Sequence, residues 1–250
     1  MDFMIILYIV VFLYGIVVGS FLNVCILRIP QHESIVTERS HCMSCGYQLK
    51  WYDMFPLFSY MFLRGRCRKC GAHVSVQYPI VEGCNGILWV VTWVMLGVNA
   101  DTFLVCLLMS ALLVLSVIDW RTYEIPFGLN VFIGILGVVR LICHPDNRSE
   151  YDIGFFAVSI PLLIILLLTK GQGMGGGDVK LMAAAGLFLG WKYIILALIL
   201  GCLYGSVIHI IRMRISGEGH MLAMGPYLSA GIATAILFGK GIIEWYISLM

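Results

Sequence analysis

Uncharged apolar runs of membrane-span length recur along nearly the whole chain, and no other feature constrains the fold as tightly. The first, residues 3–27, is 25 residues long. At ~1.5 Å of rise per residue, a helix of that length exceeds a ~30 Å hydrocarbon core. Further runs follow at 83–100, 102–118, 125–139, 153–169, 193–211 and 221–239, each of 15 to 19 residues. A shorter run, 181–190, reaches only ~15 Å and crosses only if the glycine-rich segment before it joins the helix. Counting it gives eight spans; omitting it gives seven. Charged residues make up 12% of the chain, against roughly 25% in soluble domains, which excludes a soluble enzyme and a disordered tail. A formal charge of +2 is too small to build a broad basic face, so no nucleic-acid partner is expected. The expected architecture is an all-α polytopic membrane helical bundle of about eight spans, solvated by membrane lipid.

Charge is concentrated in one place. From Arg28 to Glu82, 11 of 55 residues are charged, seven basic and four acidic, which leaves 19 for the other 195. A polar module therefore interrupts the apolar chain after its first span. The expected division is 1–27 as the first transmembrane span, 28–82 as the module and 83–250 as the remaining spans. Asp2 stands where a secretory signal carries basic residues, and no small-x-small cleavage pattern follows, so the first run reads as a retained span. With the module in the cytoplasm, 12 of the 16 Lys and Arg residues are cytoplasmic under either span count, as the positive-inside bias requires. Loops 119–124 and 170–180 then face the cytoplasm in both.

Nine cysteines divide into two groups. Cys42-x-x-Cys45 and Cys67-x-x-Cys70 lie in the module, while Cys25, Cys84, Cys106, Cys143 and Cys202 lie in or beside apolar runs. Each CxxC pair offers two sulfurs from one tight turn, and two pairs make a four-thiolate tetrahedral site suited to structural zinc. A module this small has little core of its own and gains most from such a staple. Disulfides are the competing reading, and a cytoplasmic placement argues against them. His41 and His73 adjoin the cluster, but four thiolates already complete a site, so neither is assigned as a ligand. The other five cysteines read as small buried apolar side chains.

Acidic residues are rare outside the module, so their positions carry information. Asp119 closes the run 102–118, and Asp178 follows Gly173-Met174-Gly175-Gly176-Gly177. An ionisable group at a span end is a functional hypothesis by default. Two carboxyls within reach of each other cannot both ionise easily; one serves as a base to activate water, the other stays protonated to polarise a carbonyl. That is acid–base peptide hydrolysis without a covalent intermediate. Gly175 and Gly177 support it by letting backbone approach closely beside Asp178. The glycine run lacks the Gly-Lys-Ser/Thr ending of a phosphate-binding loop. Interfacial acids in ordinary loops remain the alternative on these residues alone.

Taken in order, the motifs resemble those of one family. They are Gly19-Ser20-Phe21-Leu22-Asn23-Val24, Arg28-Ile29-Pro30, His41-Cys42-x-x-Cys45, Trp51-Tyr52-Asp53-x-x-Pro56 and Arg64-Gly65-Arg66-Cys67-Arg68-x-Cys70. Tyr78-Pro79-x-Val81-Glu82, Ile118-Asp119 with Ile125-Pro126, and Gly175-Gly176-Gly177-Asp178-Val179-Lys180 complete the set. The chain is thereby similar to the prepilin leader peptidases, which process type IV pilins and their competence and secretion relatives. The resemblance implies an intramembrane aspartic peptidase of the GxGD type with Asp119 and Asp178 as the catalytic pair, and residues 83–250 as its peptidase domain. It further implies cleavage of a basic prepilin leader after a glycine, on the cytoplasmic side of the bacterial plasma or inner membrane. Many members then methylate the new N-terminus with S-adenosylmethionine, and the intact four-cysteine module is typical of those two-activity members. The family's usual topology has eight spans. Phe127 departs from the pattern, since many relatives carry a polar or acidic residue there.

Glu82 and Glu124 are candidate contacts for the leader lysines, acting over about a Debye length, ~8 Å. No glycine-rich nucleotide fingerprint follows a strand, so the methyl donor rests on the resemblance and its binding residues are unassigned. Trp51, Tyr52 and Trp191 read as interface anchors or module core, Lys180 as a flanking charge or a partner for a nearby acid, and Gly225-Pro226 as a helix start. Two other classes compete. A proton-coupled transporter would use the Asp pair as a relay, but it calls for acids near the bilayer midplane between related halves. A non-catalytic scaffold docking partners through the metal module leaves the Asp pair without a purpose.

Overall fold

The computed structural model describes residues 2–37, 39–172, 174–216 and 222–249. Gly173, the first glycine of the run before Asp178, and Met221, the first residue of the last apolar run, lie outside them. Among the described residues the only regular secondary structure is helical. Each apolar run of the sequence forms one helix, giving eight. Six are long and apolar enough to cross a membrane, while two shorter ones have 17 and 14 residues. The contacts group into two units, Met1–Ser110 and Ala111–Met250.

In the first unit, α1 (Asp2–Arg28) packs against α3 (Gln77–Leu96). Between them lie the module and the five-residue α2 (Phe58–Phe62). Small residues set the approach of the two long helices. A Cβ on Gly15 would stand 2.7 Å from the Gly86 Cα, and one on Gly19 2.7 Å from the Glu82 Cα. One turn further, Asn23 Nδ2 donates to the Tyr78 carbonyl at 3.1 Å. The meeting points step by four residues along both helices in opposite senses, so the pair is antiparallel. Close backbone contact between small residues is what holds helices together where lipid removes the hydrophobic drive. A buried polar chain adds to it. Asn85 Nδ2 donates to the Gly15 carbonyl at 2.7 Å, Ser110 Oγ to Asn85 Oδ1 at 2.8 Å, and Trp89 Nε1 to Ser110 Oγ at 2.9 Å. Ser110 belongs to α4 (Ala100–Thr122). The Asn99 side chain opens that helix by accepting the Thr102 N–H at 2.7 Å, an N-cap bond.

The second unit begins within α4 and continues through α5 (Phe127–Cys143), α6 (Arg148–Leu168), α7 (Gly176–Leu189), α8 (Trp191–Ser216) and α9 (Gly225–Ser248). Helix α7 is its hub. Leu181, Met182, Ala185 and Phe188 have no exposed surface. Gly154 of α6 and Gly186 of α7 meet backbone to backbone, so that a Cβ on either would run into the other's carbonyl oxygen. Gly137 of α5 lies against Leu187. At 14 residues, roughly 21 Å long, α7 is wrapped by protein and has no need of a full lipid-facing span. The glycine-rich segment does join this helix, which starts at Gly176. Gly190, at φ +83°, alone separates α7 from α8.

The free cysteines depart from the sequence reading. Cys25 and Cys106 are buried, but Cys84, Cys143 and Cys202 are exposed. An apolar thiol on a membrane helix can face lipid as readily as protein, so a rule taken from soluble cores does not carry over.

Candidate active site and metal centre

Asp119 lies in the last turn of α4 and Asp178 in the first turn of α7. Both are buried, at 4% and 7% exposure. The second unit thus buries two carboxyls that are 59 residues apart in the chain. Each is tied to a helix N-terminus. Asp119 Oδ2 accepts the backbone N–H of Gly225 at 2.8 Å, the first residue of α9. That N–H has no partner within its own helix, and a carboxylate is its natural acceptor. Asp178 sits at the third position of α7, where its own N–H donates to the Gly175 carbonyl at 3.2 Å.

Three contacts lock the first turn of α7 to the start of α5. A Cβ on Gly177 would stand 2.9 Å from the Ile125 Cβ. Asn130 Nδ2 donates to the Gly177 carbonyl at 3.4 Å. Lys180 Nζ sits 5.2 Å above the Phe127 ring, so Lys180 is held by an aromatic face rather than by a carboxylate. Gly175 crowds Asp178 directly, since a Cβ there would stand 3.3 Å from Asp178 Oδ2.

The sequence marks Gly225 only as a helix start, yet its N–H bonds Asp119. A Cβ on it would stand 2.7 Å from Asp119 Oδ2, so only glycine lets α9 present its N–H at this distance. For Asn130 the sequence signal is only an amide in an otherwise apolar run. The two glutamates fare differently. Glu124 is exposed in the loop after α4. Glu82 is 5% exposed, and its carboxylate accepts the Leu57 N–H at 2.8 Å and is hydrogen-bonded to Ser20. The Leu57 bond ties the module to α3 at this carboxylate.

In the first unit, the four sulfurs of Cys42, Cys45, Cys67 and Cys70 lie within 4.8 Å of one another. Two copies of one turn build the cluster. The Gly46 N–H donates to the Cys42 carbonyl at 2.8 Å, and Cys42 N–H to the Tyr47 carbonyl at 2.9 Å. Twenty-five residues later, Gly71 N–H bonds the Cys67 carbonyl at 2.9 Å and Cys67 N–H the Ala72 carbonyl at 2.8 Å. Gly46 and Gly71 adopt φ +67° and +71°, a region that favours glycine. Isolated antiparallel bridges, His41 with Gln48 and Arg66 with His73, close the two turns. Backbone N–H groups of Ser44 and Cys45 favour the Cys42 thiolate, while the neighbouring sulfurs push the Cys70 thiol up, so the four thiols share their ionisation as a cluster. The donors fit a tetrahedral ion: metal–sulfur bonds of ~2.3 Å set sulfurs roughly 3.8 Å apart, and Cys42 and Cys70 Sγ are 3.8 Å apart. The same four residues could therefore hold a metal ion. Neither His41 nor His73 belongs to the cluster.

The sequence matches two family models. One, described as the bacterial peptidase A24 N-terminal domain, covers residues 13–96 and so includes all four cysteines. The other, the type IV leader peptidase family, covers residues 106–210 and includes both aspartates. A Bacillus subtilis (strain 168) protein named prepilin leader peptidase/N-methyltransferase is 31% identical over 245 residues, covering 96% of this chain and 98% of that one. Proteins of the same name are 32% identical in Pseudomonas putida, covering 91% of this chain and 89% of theirs, and 31% identical in Aeromonas salmonicida, covering 95% and 93%. No solved structure matches. The chain belongs to the type IV leader peptidase family. With six helices among the described residues long and apolar enough to cross a membrane, and bacterial relatives of this kind, it is a multi-pass protein of the bacterial inner membrane.

Proposed function

We propose that this chain is a prepilin leader peptidase that also N-methylates its product, with Asp119 and Asp178 as the catalytic pair. The observation that carries the reading is the pair itself: two buried carboxyls in one unit, one fixed by the Gly225 N–H and both at helix ends. One carboxylate takes a proton from water as the water oxygen attacks the scissile carbonyl carbon. The other, protonated, donates to the carbonyl oxygen. As the C–N bond breaks, the leaving amine receives a proton from the acid that the pair now holds. The two titrate as a unit, so the roles belong to the pair. Gly175 and Gly177 act as supports by keeping the first turn of α7 free of side chains against Asp178 and Ile125.

The substrate is a prepilin or pseudopilin, cut after a glycine on the cytoplasmic side, with exposed Glu124 as the contact for leader lysines. The metal held by Cys42, Cys45, Cys67 and Cys70 is zinc, in a structural role, because four soft thiolates in a closed site suit it. S-adenosylmethionine supplies the methyl group to the new N-terminal amine. The relatives' names lend no support to a transporter.

The test is mass spectrometry of a prepilin-like peptide incubated with the purified, reconstituted protein. The expected product begins immediately after the leader glycine and gains one methyl group only when S-adenosylmethionine is present. An uncut peptide rejects the peptidase; a cut peptide that never gains the methyl group rejects the second activity alone.

A further inference from the structure

Residues 51–62 combine two features that a water-solvated module would avoid. Trp51, Met54, Phe55, Phe58, Met61 and Phe62 are all exposed, Trp51 at 77% and Phe62 at 84%. Six large apolar side chains within twelve residues form a patch of the kind that marks an interaction surface. The backbone beneath them is held firmly. Leu57 N–H donates to the Glu82 carboxylate at 2.8 Å, and Asp53 pairs with Arg68 at 2.6 Å. The Glu82 bond fixes the height of the patch. Glu82 is the sixth residue of α3, a helix long and apolar enough to span a membrane, so Leu57 lies beside α3 about 9 Å from its start.

The surrounding charge has one sign. Across residues 39–81 the only acid is Asp53, and Arg68 neutralises it. Lys50, Arg64, Arg66 and Lys69 are exposed. A divalent ion on four thiolates carries a net charge of two minus, which still leaves this stretch cationic. Aromatic and methionine side chains bordered by Lys and Arg, beside the first turns of an apolar helix of membrane-span length, match an anionic membrane interface.

We propose that residues 51–62 form an interfacial anchor, with Trp51, Phe55, Phe58, Met61 and Phe62 inserted among lipid acyl chains and Lys50, Arg64, Arg66 and Lys69 against anionic headgroups. The occupant of the surface is the bilayer in which the protein itself is embedded. The Glu82–Leu57 bond is then the tether that holds the anchor to α3.

The test places a photo-crosslinking p-benzoylphenylalanine at Phe62, and separately at Phe58, in the full-length protein. It is reconstituted in vesicles of phosphatidylglycerol with phosphatidylethanolamine, or of phosphatidylcholine alone. Light should yield phospholipid adducts at both positions, roughly fivefold more in the anionic vesicles. A second protein carrying Arg64→Glu, Arg66→Glu and Lys69→Glu should lose that excess while keeping its bound metal, which shows that the module remains folded. Adducts to protein alone, no lipid adduct in either vesicle, or equal yields in both would each overturn the proposal.

Discussion

Two residues carry the clearest single-site consequences. Gly225 presents its N–H to Asp119 at 2.8 Å, and a methyl group in its place would stand 2.7 Å from the same oxygen. Gly225→Ala should therefore displace the Asp119 carboxyl. Cleavage is expected to fall about 100-fold, the cost of a misplacement near 1 Å, while the metal content of the module is unchanged; a kcat measurement beside metal analysis checks it. Asp53 is the second. Desolvation works against its carboxylate, but the Arg68 guanidinium and the Lys50 N–H outweigh that and hold its carboxyl below the ordinary carboxylate range. The unfolded chain then binds the proton more readily, so this contribution is full above the ordinary Asp value and is lost as pH falls through the lower folded one. Compared at each pH with an acid-active protease, wild type should resist nicking in residues 50–70 better than Asp53→Asn. The difference should close only below pH ~3.9. Thiolate protonation affects both proteins alike, so the comparison isolates Asp53.

Among elements, the contact between Gly177 and Ile125 couples the first turn of α7 to the entry of α5. Gly177→Ala should push the two apart and reduce cleavage by about tenfold to 100-fold. Adding Ile125→Gly removes the Cβ that the new methyl group would meet and should restore much of the loss, which a purely local effect of the new methyl group would not allow. Helix positions were legible in the sequence because an uncharged run must be buried or lie in lipid, and each run became one helix. Helix packing was not legible. Gly15 with Gly86 and Gly154 with Gly186 meet across long sequence separations, and a single sequence does not say which glycines face one another. The same limit hid Gly225, whose role depends on an aspartate 106 residues away. The sequence likewise gives no sign that the Glu82 carboxylate accepts the Leu57 N–H, 25 residues away. Asp119, Asp178 and the four cysteines stood out because their chemistry is scarce in an apolar chain.

At the scale of the molecule, chemistry and scaffold are divided between two units. The four-cysteine module and the α1–α3 pair belong to the first, and both catalytic candidates to the second. Removal of the metal by a chelator should therefore open the module first, seen as protease cuts within residues 40–74, while the helices of the second unit stay protected. In the proposed mechanism Asp119 and Asp178 act as one catalytic unit. The decisive measurement is the kcat for prepilin peptide cleavage by wild type, Asp119→Asn, Asp178→Asn and the double variant, each with its metal content verified. Each single substitution is predicted to cost about 10²–10⁴-fold, and the double variant little more than either, because partners in one proton-transfer unit are not additive. Near-normal cleavage by either single variant, or a double variant slower by the product of the two single losses, would contradict it.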